Sequence, residues 1–244
     1  MEKTFFQKQL KNLLFIDIET IAGQENFKLL SPEMQHEWEK KSQYFRQNED
    51  STPENIYFQK AGIYAEFGKI ITIGIGYFHQ DDTGEITFRS KVLQHDEEKE
   101  LLLMFKEIIE KKFNPKTIIL VAHNGKEFDF PYICRRMIIH QISLPIPLKL
   151  SGKKTWQVEH LDTMEMWRFG DEKRYTSLKL LANIFGFSNT KQEIDGSMVN
   201  EIFYKEKDIP KIMRYCLEDV ILTAKVFLRI MQLPDLKEEN YIRL

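Results

Sequence analysis

Leu13-Leu-Phe-Ile-Asp-Ile-Glu-Thr-Ile-Ala22 is the stretch that decides the fold. Leu13–Ile18 is apolar almost throughout, the pattern of a strand covered on both faces in the middle of a sheet. Asp17 and Glu19 interrupt it at a spacing of two. Successive side chains of a strand point to opposite faces, so this spacing projects both carboxylates from one face. Like charges side by side repel unless something positive lies between them, and a divalent cation with oxygen ligands is the usual remedy. The pattern alone is common. Asp96 and Glu98 repeat it where the sequence reads as a helix N-terminus, and a solvated strand end is the ordinary reading of the first pair.

Working outward, Lys69–Phe78 reads as a strong strand. Asp81-Asp-Thr-Gly84 supplies a turn, and Glu85–Ser90 returns as the second arm of a hairpin. Residues 96–113 carry apolar side chains at helical spacing (Leu101, Leu102, Phe105, Ile108, Ile109). Thr117–Ala122 is another buried strand and 130–142 a helix. Val158–Leu161 is a short strand, followed by helices around 176–185, 196–206 and 209–232. Residues 23–66 differ from all of this. They are charged and rich in Gln and Glu, with helix starts expected at Ser31-Pro32 and Pro53. They read as a helical insertion after the first strand. Their aromatic residues (Trp38, Tyr44, Phe45, Tyr57, Phe58) fit either a cover over a functional face or a stabilising outrigger on the sheet edge. The expected fold is α/β, a mixed sheet with helices on both faces, as one domain over residues 1–244.

Composition narrows the function classes. The chain has 244 residues, 42% hydrophobic and 30% charged, which argues against disorder. A formal net charge of −2 argues against bulk electrostatic coating of nucleic acid, though not against a local grip on a short strand. No apolar run approaches the roughly 18 residues of a membrane span, and the N-terminus lacks a secretory signal. Cys134 and Cys216 are far apart, which excludes a disulfide framework or a cysteine-rich zinc site and fits a reducing cytoplasm.

Two further motifs carry carboxylates. Asn124-Gly-Lys-Glu-Phe-Asp129 follows directly on the strand ending at Ala122, where α/β sheets place their chemistry. Gly125 permits an unusual turn, Phe128 anchors the loop or packs in the core, and Asp129 faces the opening or caps the next helix. Tyr215 and Asp219 are four apart and share one face of a strongly apolar helix, where an Asp is costly unless paired or bound to metal.

Taken in order, D-x-E, N-x-x-x-F-D and Y-x-x-x-D resemble the three motifs of the DEDD exonuclease superfamily, in its tyrosine-bearing branch. The histidine-bearing branch has His one residue before Tyr215, where this chain has Arg214. Val121–Ile133 and Tyr215–Val220 are similar to the proofreading exonuclease domain of family B DNA polymerases. Asp195-Gly-Ser-Met-Val199 is similar to stand-alone predicted 3′–5′ exonucleases related to that domain. The likeness covers roughly Leu13 to Phe227 except 23–66, and leaves no room for a polymerase.

The resemblance implies an RNase H-like, five-stranded mixed sheet and removal of nucleotides from a 3′ end with two Mg²⁺ or Mn²⁺ ions. It implies that Asp17 bridges both ions, that Glu19 and Asp219 complete the nucleophile-side metal, that Asp129 holds the second, and that Tyr215 aims the attacking water. Thr20, Ile21, Asn124 and Phe128 would meet the terminal nucleotides. Single-stranded DNA is the favoured partner, with RNA as the alternative and a non-catalytic nucleic-acid or polymerase-binding module as the competitor of another class. Arg135-Arg136, Lys153-Lys154 and Lys173-Arg174 are open to contact with phosphates or to plain solvation. Asp162 reads as a helix cap or a supporting acid, and His123 as a structural residue beside the site.

Overall fold

The structure is a computed structural model describing residues 10–45, 51–171, 175–187 and 194–244. Strands β1 (Leu13–Ala22), β2 (Gly68–Gln80), β3 (Ile86–Gln94), β4 (Ile119–Ala122), β5 (Leu161–Asp162) and β6 (Tyr241–Arg243) form one sheet in the order β5-β4-β1-β2-β3-β6. The β1–β2 and β2–β3 pairs are antiparallel, and β1–β4, β4–β5 and β3–β6 are parallel. The helices are α1 (Pro32–Ser42), α2 (Pro53–Lys60), α3 (Glu98–Lys112), α4 (Asp129–Ile139), α5 (Thr163–Arg168), α6 (Leu178–Ile184), α7 (Val199–Glu201) and α8 (Ile209–Ile230).

Alternation along β1 divides the core. Leu14, Ile16 and Ile18 pack with Leu101 and Phe105 of α3 and with Phe130 and Ile133 of α4. Leu13 and Phe15 turn the other way, onto Val220, Ala224 and Phe227 of α8. Asp17 and Glu19 continue that second row and so face α8. The helix comes close because Gly74 lies opposite Asp17 in the ladder. A Cβ on Gly74 would meet Val220 Cγ2 at 2.6 Å and Cys216 Sγ at 2.9 Å. One residue past the acidic pair the ladder slips: Glu19 pairs with Thr72 but Thr20 with Ile70. The extra residue, Ile71, is buried against Ile194, Val199, Ile202 and Ile212. Such a bulge bends the strand and re-aims its side chains.

Residues after Ala22 carry a small core of their own, in which Trp38 meets Tyr57 and Phe67 with ring centroids 5.3 and 4.9 Å apart. Ser31 caps α1 ahead of Pro32 and α2 opens at Pro53, as the sequence led us to expect, with Thr52 supplying the second cap. The Tyr204 hydroxyl donates to the Ala22 carbonyl at 2.7 Å. Asn200 bridges Ala22 N and Phe58 O, each at 2.9 Å.

Several expectations need correcting. Among the described residues the sheet has six strands rather than five, because Tyr241-Ile-Arg243 adds to β3 in parallel; three residues are too few to show a strand pattern. The strand expected at Val158–Leu161 is reduced to Leu161–Asp162, after a 3₁₀ turn at Thr155–Gln157. The helix expected at 196–206 is a single turn at Val199–Glu201 running into a π-helical turn at Ile202–Glu206. Arg136 is no phosphate contact. Its Nε donates to Glu98 Oε1 at 2.9 Å and its Nη1 to the Ala65 carbonyl at 2.8 Å, tying α4 to α3 in the interior. Lys173-Arg174 lies outside the described residues.

Candidate active site

A cleft of about 600 Å³ opens where the C-terminal half of β1 meets the loop after β4 and the first half of α8. Asp17, Glu19, Asp129 and Asp219 all line it, together with Tyr215. Three segments far apart in sequence thus bring their acids to one place.

Each acid is positioned by a distinct local cause. Strand alternation along β1 aims Asp17 and Glu19, and the ladder stays in register through both. Asp129 is the first residue of α4, and its Oδ1 accepts from the Ile18 backbone N–H at 3.1 Å. That bond links the β4–α4 loop to the strand between the other two acids. The loop itself is held by Asp162. This carboxylate accepts from Asn124 N at 2.9 Å and Lys126 N at 3.1 Å, while also capping α5 through Met164 N at 2.9 Å. The helix-cap reading of Asp162 therefore holds, and the same carboxylate braces the loop that leads to Asp129. The unusual backbone falls on Asn124, at φ 64, not on Gly125. Gly125 is required for space, since its Cβ would lie 2.4 Å from that of Ala122.

The electrostatics are those of crowded anions. Burial, then the charges of Asp219 and Asp129, push the Asp17 carboxyl well above its ordinary range. Burial and the charges of Asp17, Asp219 and Asp129 do the same to Glu19. Burial pushes Asp129 up to about 7. The Tyr215 phenol is pushed upward by burial and by Asp219, Glu19 and Asp17, so it stays a neutral donor. Cys216, next along α8, places its Sγ beside Asp17 and Glu19 and donates to the Asp17 carbonyl at 3.6 Å. Burial and the same two acids push its thiol up, so it too stays protonated. Nothing in the sequence motifs flagged Cys216, although its position one residue after Tyr215 places it on the inner side of the helix.

A divalent cation fits this donor set. Asp17 Oδ2 is buried without a hydrogen-bond partner, and hard carboxylate oxygens are the ligands that Mg²⁺ and Mn²⁺ prefer.

Of the expected substrate contacts, Thr20, Asn124 and Phe128 line the cleft. Phe128 also packs on the core and meets Tyr132 at 5.4 Å, so it anchors the loop as well. Asn124 Oδ1 is buried without a partner. Ile21 is not in the cleft: it is fully buried against Ile71, Val199 and Ile212, on the far side of the bulge. His123 is engaged at both nitrogens, with Thr163 Oγ1 at 2.9 Å and the Thr176 carbonyl at 2.8 Å, which fits a structural role. The opposite wall comes from Tyr175, Ser177, Leu178, Lys179, Asp195 and Gly196. Sequence reasoning assigned none of these to the site, because they sit on short loops and a helix start with no periodic pattern.

The fold is a mixed α/β sheet with a long helix across the face to which these acids turn. The solved structure of the family B DNA polymerase from Pyrobaculum calidifontis shares it, with a TM-score of 0.54 and 16% identity over 90% of this chain and 24% of that one. Residues 63–244 match the family described as "Predicted 3'-5' exonuclease related to the exonuclease domain of PolB", and the chain belongs to that family. DNA polymerase 1 of Pyrococcus abyssi, and the same-named protein of strain GE5 / Orsay, are each 28% identical over 177 residues. The match takes in 66% of this chain but spans only 22% of those polymerases.

Proposed function

We propose that the protein is a 3′–5′ exonuclease that removes nucleotides from the end of single-stranded DNA, using two Mg²⁺ or Mn²⁺ ions held by Asp17, Glu19, Asp129 and Asp219. The observation that carries this reading is the convergence of four carboxylates from three segments in one cleft, with a buried oxygen of Asp17 left unpartnered. A binding module has no use for such a cluster, because like charges brought together out of water destabilise the fold unless something cationic joins them.

Two bound ions supply an activated water and charge stabilisation for the leaving 3′ oxygen. The chain's own residues do the rest. Asp17, which feels the charges of Asp219 and Asp129 and keeps one buried oxygen free, would hold metal together with them, and the resemblance gives it the place shared by both ions. Tyr215, neutral and hydrogen-bonded with Asp219, keeps a hydroxyl to orient the attacking water. The Ile18 N–H fixes Asp129 in place. Thr20, Asn124 and Phe128 flank the terminal nucleotides. A cleft of about 600 Å³ is within the size range of a small-molecule site, which supports a reading in which single unpaired nucleotides enter it. We read residues 1–244 as one catalytic unit with 23–66 as an insertion, at work in a reducing cytoplasm where Cys134 and Cys216 stay free.

The test is incubation with end-labelled DNA and RNA oligonucleotides, each free or 3′-blocked, in Mg²⁺, Mn²⁺ or EDTA. Stepwise shortening of free DNA in metal alone is the expected result. Preference for RNA would move the substrate, and cleavage in EDTA or of 3′-blocked strands would overturn the assignment.

A further inference from the structure

A second cavity, of about 1020 Å³, opens on the other side of the sheet and shares no lining residue with the carboxylate cleft. Its floor is Ile75 and Tyr77 of β2. Ile75 packs with Leu101 and Phe105, so this is the face that α3 covers, whereas Asp17 faces α8. It also lies toward the opposite end of the strands: His79, on its wall, is five positions beyond Gly74, roughly 17 Å at the rise of a strand.

The lining is strongly one-sided in charge. Arg89 and Lys91 stand directly across the ladder from Tyr77 and Ile75, so both project to this face. Lys112 joins them from the last turn of α3, and Lys11 from the segment before β1. No Asp or Glu is among the described lining residues. Lys11, Arg89 and Lys91 take part in no ion pair among the described residues. Cations gathered in a concavity without acids concentrate anions there. Arginine adds a planar fork that matches phosphate. Beside these cations the lining is aromatic, Tyr77 and Phe113 meeting edge to face at 5.8 Å and 84°, and aromatic side chains are where bases stack without regard to sequence.

We propose that this cavity is a nucleotide-binding site separate from the carboxylate cleft, seating a phosphate on Arg89 and Lys91 and a base against Tyr77 and Phe113. The ligand is either a free nucleoside monophosphate or one nucleotide of a strand. The site goes beyond the nuclease reading and stands without it, since the two share no residue.

Calorimetric titration of the full chain in EDTA tests it, with AMP, adenosine, inorganic phosphate and a 3′-blocked oligonucleotide as probes. AMP should bind at least tenfold more tightly than adenosine or phosphate. The double variant Arg89→Glu/Lys91→Glu should lose at least tenfold in affinity for AMP while keeping its exonuclease rate at saturating substrate. Asp219→Ala should bind AMP unchanged. A loss for the oligonucleotide alone assigns the cavity to a strand, and a loss for AMP assigns it to the free nucleotide. If the charge reversal unfolds the protein, Lys11→Gln/Lys112→Gln, at two exposed positions, should weaken binding several-fold. Unchanged affinity for every probe in the folded variants overturns the proposal. AMP binding that disappears in Asp219→Ala overturns it too, by placing the nucleotide in the cleft.

Discussion

Glu19 and Glu98 are both nearly inaccessible acids, 7% and 8% exposed, yet they sit in opposite electrostatic settings. Glu98 accepts from Arg136 Nε at 2.9 Å, from the Ile70 backbone N–H at 2.7 Å, and stands 2.7 Å from His140 Nε2. Those partners overcome the cost of burial and hold its carboxyl below the ordinary value. Glu19 is surrounded by Asp17, Asp219 and Asp129, and its carboxyl is pushed well up. Burial is common to both, so partners decide the sign. The first cluster ties α3, α4 and the start of β2 together. The second stores repulsion that a cation would relieve.

The largest effect that could break this contrast is on turnover. Asp17→Ala or Asp219→Ala should lower kcat at least a thousandfold, about 4 kcal/mol of barrier. The metal-free variants should melt no lower than the unmodified protein, since a repelling charge has gone. A gel-based nuclease assay and a thermal melt on the same samples check both halves, and a large drop in Tm would make the acids structural.

The Glu98 cluster should behave in reverse. Arg136→Met leaves a buried carboxylate unpaired, at a cost of about 3–5 kcal/mol of stability. Turnover per folded molecule should hold, because Arg136 lies outside the cleft. Denaturant unfolding with activity measured below the transition separates the two.

Tyr215→Phe sharpens the active-site side. It removes one hydroxyl and keeps the ring, so kcat should fall roughly ten- to a hundredfold, the worth of a hydrogen bond to a charged group. Tm should move little. Unchanged kcat with a lowered Tm would make Tyr215 a packing residue.

The smallest expected effect is on the pH dependence of stability in EDTA, where the clusters carry opposite signs. Glu98 titrates lower in the folded state, so its contribution is present above its ordinary value of 4.5 and is lost as pH falls through the folded value. Asp129 titrates at about 7 when folded against 3.8 as a free group, so the folded chain holds more protons in that window. Stability from this source therefore falls as pH rises from about 3.8 to about 7. Melts across pH 4 to 8 should show a decline of a few degrees toward neutrality that Mg²⁺ reverses by binding the folded state. A decline insensitive to Mg²⁺ would separate the acids from metal binding.

The sequence made some of this readable and hid the rest, for physical reasons. Period-two spacing placed Asp17 and Glu19 on one face, and helical spacing placed Tyr215 and Asp219 together, because both are local geometry. The cap at Ser31 and the helix starts at Pro32 and Pro53 were legible from Ser followed by Pro and from the second Pro. Ile21 was assigned to the substrate by resemblance, and its burial under Val199, Ile202 and Ile212 shows only once those distant segments lie over it. Cys216, Asp162 and the wall at Tyr175–Lys179 depend on approaches between distant segments. So does Gly74, whose missing side chain matters only once α8 lies against it.

Ala22 and Gly68 are cross-strand partners, and the Gly23 N–H donates to the Phe67 carbonyl at 2.7 Å. The polypeptide thus departs and re-enters at the width of a single hairpin, just beyond the acidic pair. The register of β1 on β2 is held by the ladder itself, so the length of the excursion between those two points does not set it. Ile63, which borders the cleft from within that excursion, shows how a replaceable segment can still shape what the acids meet. Selection could in this way retarget the mouth of the cleft while its acids stay fixed.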